Sequence, residues 1–353
     1  MKAKEDRLVL DEGTVQSHTI YFLRFVLIVA VVFSHARLRE VGEGPEGPYS
    51  LFVYLFTSVF ERLPALVLFS GYLFFRSGFS ARIYGKKLKS RVRSLLVPYA
   101  FWNVAVLLFT LFLQWFQLRI GEQPGGTCVW DYTAHDWWMA FWGGPIAKQF
   151  WFIRNLMVLM LFSPVFYFLV RYLKIWGVLL SSLPWFLGYD VVFRMHTYTF
   201  FFFALGAWFA LEKRNFVKDM EPFFTVSGFV FLLISLWQVY CHESGGTQIL
   251  WLNKIGLCAS VVFLISWVGR MLRRGVFRVN VPLCQSSFLV FALHFVPLGL
   301  LKQVATRFVP DTDFNCFWLH FLLVALITLF CVACYELMHR YTPRFLALIT
   351  GGR

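Results

Sequence analysis

Two ionisable residues stand inside the first long apolar run of the chain, Thr19 to Leu38 (TIYFLRFVLIVAVVFSHARL): Arg24 about one turn in, and His35 near the far end. Eleven residues of helix span about 16 Å and return to within about 20° of the starting direction, so the two side chains share a face. A charge at the middle of a lone membrane helix costs about 2.5–3.5 kcal/mol, and such residues usually turn toward a protein interior. A plainer reading has Arg24 snorkelling to one interface and His35 marking the other. It accounts for each residue, but not for the shared face, which predicts a polar track through the protein. An imidazole, with an ordinary pKa of about 6.5, can take a proton from a hydroxyl at neutral pH or act as a nucleophile itself. A guanidinium can hold phosphate or carbonyl oxygens.

Other polar residues punctuate apolar surroundings. His294 falls midway along a late apolar run, where it serves either as a second site residue or as a core histidine bridging helices. Arg62 and Arg154 each need a cavity or a carboxylate to face. Glu61 points about 100° away from Arg62 and is a poor partner for it. Arg62 can steady developing negative charge on an oxygen or clamp a phosphate. Ser70 and Tyr72 either line the same cavity or simply pack. Glu40 and Glu43, just past His35, either orient its ring or remain solvated. The densest basic run, RSGFSARIYGKKLKSRVRSLLVPY, reads as the inner loop after the second apolar run and contains Lys86, Lys87, Lys89, Arg91 and Arg93. Such runs commonly set topology and contact anionic lipid, but this one can also hold a polyanionic ligand.

Positioning these groups requires a bundle. Of 353 residues, 59% are hydrophobic and only 15% charged, a balance that points to an integral membrane protein rather than a soluble domain. We expect an all-α protein of about ten membrane-spanning helices, at 19–38, 51–75, 95–116, 150–171, 175–191, 196–211, 222–241, 252–271, 284–303 and 316–338, forming one domain over 1–353. Lys and Arg divide 22 to 8 between alternate connections, with three inside spans. That bias places both termini in the cytoplasm, His35 toward the outer face and Arg24 toward the inner. It also accounts for the formal charge of +14 without a nucleic-acid partner. A hydrophilic head, Met1 to His18, leads straight into the first span with no cleavable signal. The loop Gln117–Gln149 is rich in Trp, Gly and acids, suited either to stacking on sugar rings or to anchoring at the interface. Seven cysteines show no metal spacing, and no metal is expected; Cys331 and Cys334 suit helix packing, whereas Cys128, Cys241 and Cys316 fall where a disulfide can form.

Five stretches in order resemble the acyltransferase-3 membrane proteins, the bacterial O-acyltransferases of surface polysaccharides. Arg24 and His35 reproduce the Arg-x10-His pattern of that family's first helix. ERLPALVLFSGYLFF is similar to its second, KKLKSRVRSLLVPYAFWN to the entry of its third, FWFIRNLMVLMLFSPVF to its Trp-Phe-x-Arg helix, and SSFLVFALHFVPL to the late helix that carries a His. Asn155 departs from the pattern, since an acid is expected after the Arg.

The resemblance implies transfer of an acyl group, usually acetyl, from cytosolic acetyl-CoA (acyl-CoA) to a hydroxyl of a glycan or lipid-linked glycan, at the bacterial inner membrane. His35 would act as general base or acyl relay, with His294 beside it. Arg24 would sit at the donor's entrance, and the basic run would hold CoA phosphates. Oligomeric state is unreadable from sequence. The rival class is a transporter of a lipid-linked sugar, polysaccharide or small molecule, with Arg24, His35 and His294 as a polar relay. No repeated halves favour it.

Overall fold

The computed structural model describes residues 10–39, 47–60, 64–192, 194–245 and 249–352. They are helical nearly throughout; the strands among them form one two-residue antiparallel hairpin, with Val191 opposite His196 and Val192 opposite Met195. Five helices are long and apolar enough to cross a bilayer: Glu12–His35, Ala81–Arg119, Phe216–His242, Leu250–Arg273 and Asp313–Tyr341. Counting each bent pair as one crossing gives up to seven, and three shorter apolar helices lie at Pro64–Phe75, Ile175–Phe186 and Tyr198–Leu211. Large apolar side chains such as Leu108, Phe112, Leu232, Leu236, Leu326 and Leu329 face outward, as a lipid-facing surface requires. The chain is a multi-pass membrane protein.

The first helix is the axis. Asp11 caps it by accepting from the N–H groups of Gly13 and Thr14, and Glu12 complements the positive end of its dipole. It packs against Leu250–Arg273, Ser287–Leu293, Asp313–Tyr341 and Pro48–Phe60. Another pair, Pro64–Phe75 and Tyr198–Leu211, approaches until the backbones touch. A Cβ added at Gly71 would collide with the Phe203 carbonyl, and one at Gly206 with that of Leu68. Small residues at helix contacts drive association where lipid offers no hydrophobic gain.

Three expectations change. The basic run is a helix, Ala81–Arg91, rather than a loop. Ser80 caps it, and it continues into Val97–Arg119 through a π-turn at Val92–Leu96. Pro98 has no N–H for the Ser94 carbonyl, so the turn before it widens instead of ending. The fourth and ninth apolar runs are each broken, by 59° between Lys148–Leu161 and Ser163–Leu173 and by 66° between Val281–Leu293 and Phe295–Phe308. Pro164 and Pro297 stand two or three residues past these breaks, where the ring displaces the carbonyl four residues back. The fifth run leaves helix after Phe186, and Gly188 (φ +93°) leads into the hairpin.

Candidate active site

His35 ends the first helix, and His294 lies at the second break. Their rings meet with His35 Nδ1 3.1 Å from His294 Nε2 and planes 29° apart. The protons follow from the acceptors. His294 Nδ1 lies 3.0 Å from the Val290 carbonyl and 2.9 Å from that of Phe291, both acceptors only, so Nδ1 carries the hydrogen. In neutral His294 the other nitrogen is then a lone pair and accepts from His35 Nδ1–H. His35 Nε2 is left bare, as a base.

The break at Pro297 matters here. His294 itself keeps helical dihedrals (φ −58°, ψ −35°) at the bend, and its Nδ1 folds back onto the Val290 and Phe291 carbonyls of the preceding turn. His294 is wholly buried, whereas His35 is partly open.

His35 lines a cavity of about 340 Å³ with Arg37, Lys148, Gln149, Trp151 and Lys302. Gln149, 2% exposed, donates to the Ala292 carbonyl at 3.0 Å, and its Oε1 has no hydrogen-bond partner.

Arg24 lines a second cavity, of about 290 Å³, together with Ser70, Arg91, Phe152, Phe288 and Phe291. Arg24 has no carboxylate partner among the described residues. Arg91 keeps a buried Nε without an acceptor. Ser70 donates to the Leu66 carbonyl at 2.8 Å. Arg24 and His35 thus both face inward, as their spacing predicts. Among the described residues no continuous track is seen: these two cavities have no lining residue in common, and Val31 and Val32 are buried along the helix between them.

Several predicted binding residues sit elsewhere. Tyr72 does not share the Ser70 cavity; it borders a third, of about 610 Å³, with His18, Arg76, Lys213 and Arg214. Residues two apart on a helix point about 200° apart, which puts Tyr72 on the side away from Ser70. Lys86, Lys89 and Arg93 are exposed and line none of these three cavities. Lys87 is committed to the Phe74 and Gly78 carbonyls at the end of a neighbouring helix. Arg154 is a tie rather than an open anion site. Its guanidinium donates to the carbonyls of Trp142, Gly143 and Arg194 and, through two nitrogens, to Asn155 Oδ1. Asn155 supplies the acceptor that a carboxylate was expected to supply. Arg62, Glu61, Glu40 and Glu43 lie outside the described residues.

Some polar contacts were not anticipated. His320, on Asp313–Tyr341, and Tyr49 brace the end of the first helix. Arg39 pairs with Asp311 and Asp313, at 2.7 and 2.6 Å. Bonding to Asp311 raises the Arg39 guanidinium above its ordinary range, and the same contact holds the Asp311 carboxyl below its own. Lys254 is buried against Asp190 at 3.2 Å. Only His320 carried a signal, a lone imidazole in an apolar run. The others depend on side-chain pairs more than 60 residues apart in the chain.

The bundle brings two histidines into contact inside a multi-pass membrane protein, and comparison with known proteins gives its class. The family model described as an acyltransferase domain, acyltransferase 3, matches residues 18–336, and the chain belongs to that family. It is 28% identical to the succinoglycan biosynthesis protein ExoH of Rhizobium meliloti (strain 1021), over 96% of this chain and 92% of that one. No solved structure matches.

Proposed function

We propose that the protein is an O-acyltransferase, most simply an O-acetyltransferase. It moves an acyl group from cytosolic acyl-CoA to a hydroxyl of a surface polysaccharide or its lipid-linked precursor, with His35 as general base. One observation carries the reading: the carbonyls behind His294 dictate its tautomer, and that tautomer leaves a bare His35 nitrogen on a cavity. The family supports acyl transfer, and the relative's role in succinoglycan biosynthesis supports a polysaccharide acceptor.

In this mechanism the acceptor O–H gives its proton to His35 Nε2 as its oxygen attacks the thioester carbonyl. His35 Nδ1–H stays bonded to His294, which steadies the imidazolium. The cationic side chains Arg37, Lys148 and Lys302 border the space where the oxyanion develops. The C–S bond then breaks, and the departing thiolate takes the proton from His35.

Arg24 and Arg91 suit the donor's anionic or carbonyl groups, since the cavity they line is otherwise largely apolar. The donor arm must pass the level of Val31 and Val32, so that layer parts when donor binds. The five long helices, two bent pairs and three short apolar helices together suit ten crossings, the Lys and Arg bias over them supports cytoplasmic termini, and a helical bundle of this kind suits the bacterial inner membrane.

The test uses purified protein with labelled acetyl-CoA, and a glycan ester profile of a deletion strain complemented with parent or His35→Ala. His35→Ala should insert normally and lose about 10²–10⁴-fold in transfer. Parental transfer by this variant would refute the assignment. Recovery of acyl-His35 from a donor-only reaction would instead make the same lone pair a nucleophile. Substrate flux without donor would favour transport.

A further inference from the structure

The histidine pair hangs from a helix end, and helix ends leave carbonyls and amides without intrahelical partners. The first helix stops at His35, and the Ala36 N–H is shared between the carbonyls of Val32 (3.0 Å) and Phe33 (3.1 Å). The Phe33 carbonyl has a second partner far along the chain, His320 Nε2 at 2.9 Å. On the other side of His35, the Leu38 N–H donates to the Tyr49 hydroxyl oxygen at 2.9 Å. That oxygen lies 2.9 Å from His320 Nδ1. A carbonyl only accepts, so His320 carries its proton on Nε2, and its Nδ1 receives the Tyr49 O–H. Both side chains are fully buried, and the Phe33 ring packs on the imidazole of His320 with centroids 4.1 Å apart.

We propose that His320 and Tyr49 are positioning residues for His35. Together they bridge the Phe33 carbonyl and the Leu38 amide, two residues before the imidazole and three after it, and so hold the helix end in register with His294. This rests on reading His35 as the base. Neither side chain borders the cavity onto which His35 opens, so their influence is exerted through the backbone. Terminal turns fray when their groups lack partners. A reacting group displaced by about 1 Å can lose on the order of 100-fold in rate.

The experiment is a substitution cycle on the full-length protein. Tyr49→Phe removes one oxygen, leaving His320 Nδ1 and the Leu38 N–H unmatched. His320→Leu removes the bridge, and His320→Gln keeps an N–H for the Phe33 carbonyl. Tyr49→Phe and His320→Leu should lower kcat by roughly 10–100-fold with donor KM changed little. His320→Gln should recover most of the loss. In a His35→Ala background the same substitutions should cost nothing further, because no base is left to position.

An equal fold-loss in both backgrounds would mean a general effect on folding and would overturn the proposal, as would parental kcat in both bridge variants. Amide exchange at Leu38 tests the bridge without reference to activity. Its protection should fall in Tyr49→Phe, and unchanged protection would overturn the bridge. Should His35→Ala alone remain fully active, the base assignment fails, and the exchange result still reports separately on the bridge.

Discussion

His294 holds His35 from behind, Nε2 to Nδ1 at 3.1 Å, while its own Nδ1 is spent on two carbonyls of the preceding turn. The arrangement does what a carboxylate does for a catalytic histidine, but with a neutral acceptor. It fixes one tautomer of His35 and leaves the useful nitrogen uncovered. His294→Ala frees the His35 ring to rotate and to carry its proton on either nitrogen. We expect kcat to fall by about 100-fold with donor KM little changed, since His294 contributes to no donor contact. Steady-state kinetics at several donor concentrations separates the two parameters; a change confined to KM would contradict this role.

Among the basic residues of Ala81–Arg91 only Arg91 borders the Arg24 cavity. Charge in the run as a whole is therefore a poor guide to donor binding. Arg91→Ala and Arg24→Ala should each raise donor KM by about tenfold, the scale of one charge-assisted contact. Lys86→Ala and Lys89→Ala should leave it within about twofold, because exposed lysines contribute little. A titration of initial rate against donor in the four variants decides the matter. Equal effects in all four would restore the basic run as a collective phosphate site.

Much of this architecture was legible from periodicity and apolarity. Arg24 and His35 announced a shared inward face, and both do face inward. His294 stood out as an imidazole in an apolar run and proved to be His35's partner. The passage between them was not legible, because whether Val31 and Val32 close it depends on what packs against them. The basic run reads as a loop from its charge density; its helix comes from the Ser80 cap and continuity with the next span. Pro164 and Pro297 are visible in the sequence, but apolar runs long enough to cross read as single spans despite them. Arg39 and Tyr49 give no local sign, since the side chains they meet, Asp311 and His320, lie more than 250 residues away.

The Arg39 clasp yields a prediction in pH. Bonding to Arg39 holds the Asp311 carboxyl below its ordinary range. A depressed carboxylate contributes stability above its unfolded value of about 3.9, and loses it as pH falls through the lower folded value. The clasp should thus be constant between pH 5 and 8, and any activity change in that window must come from another group. Thermal melting of the parent should weaken on acidification below about pH 4. Asp311→Asn should melt slightly lower at neutral pH and show a flatter acid limb. A clasp-dependent transition near neutrality would contradict this sign.

Arg154 supplies the sharpest contrast between binding and structure. Its donors hold the Trp142–Gly143 turn, the Arg194 carbonyl of the hairpin and the amide of Asn155, so three loop carbonyls depend on one guanidinium. The neighbouring stretch carries Lys148 and Gln149 to the His35 cavity. Arg154→Met would leave buried carbonyls unmatched, at about 1–3 kcal/mol for each one that water cannot reach. Arg154→Lys would rescue little, since one ammonium cannot span the planar fork. Both variants should reduce thermal stability and yield by similar amounts, with the surviving folded fraction retaining a near-parental donor KM. If Arg154→Lys instead kept parental stability while donor KM rose tenfold, Arg154 would be a ligand contact, and the tie through Asn155 would be secondary.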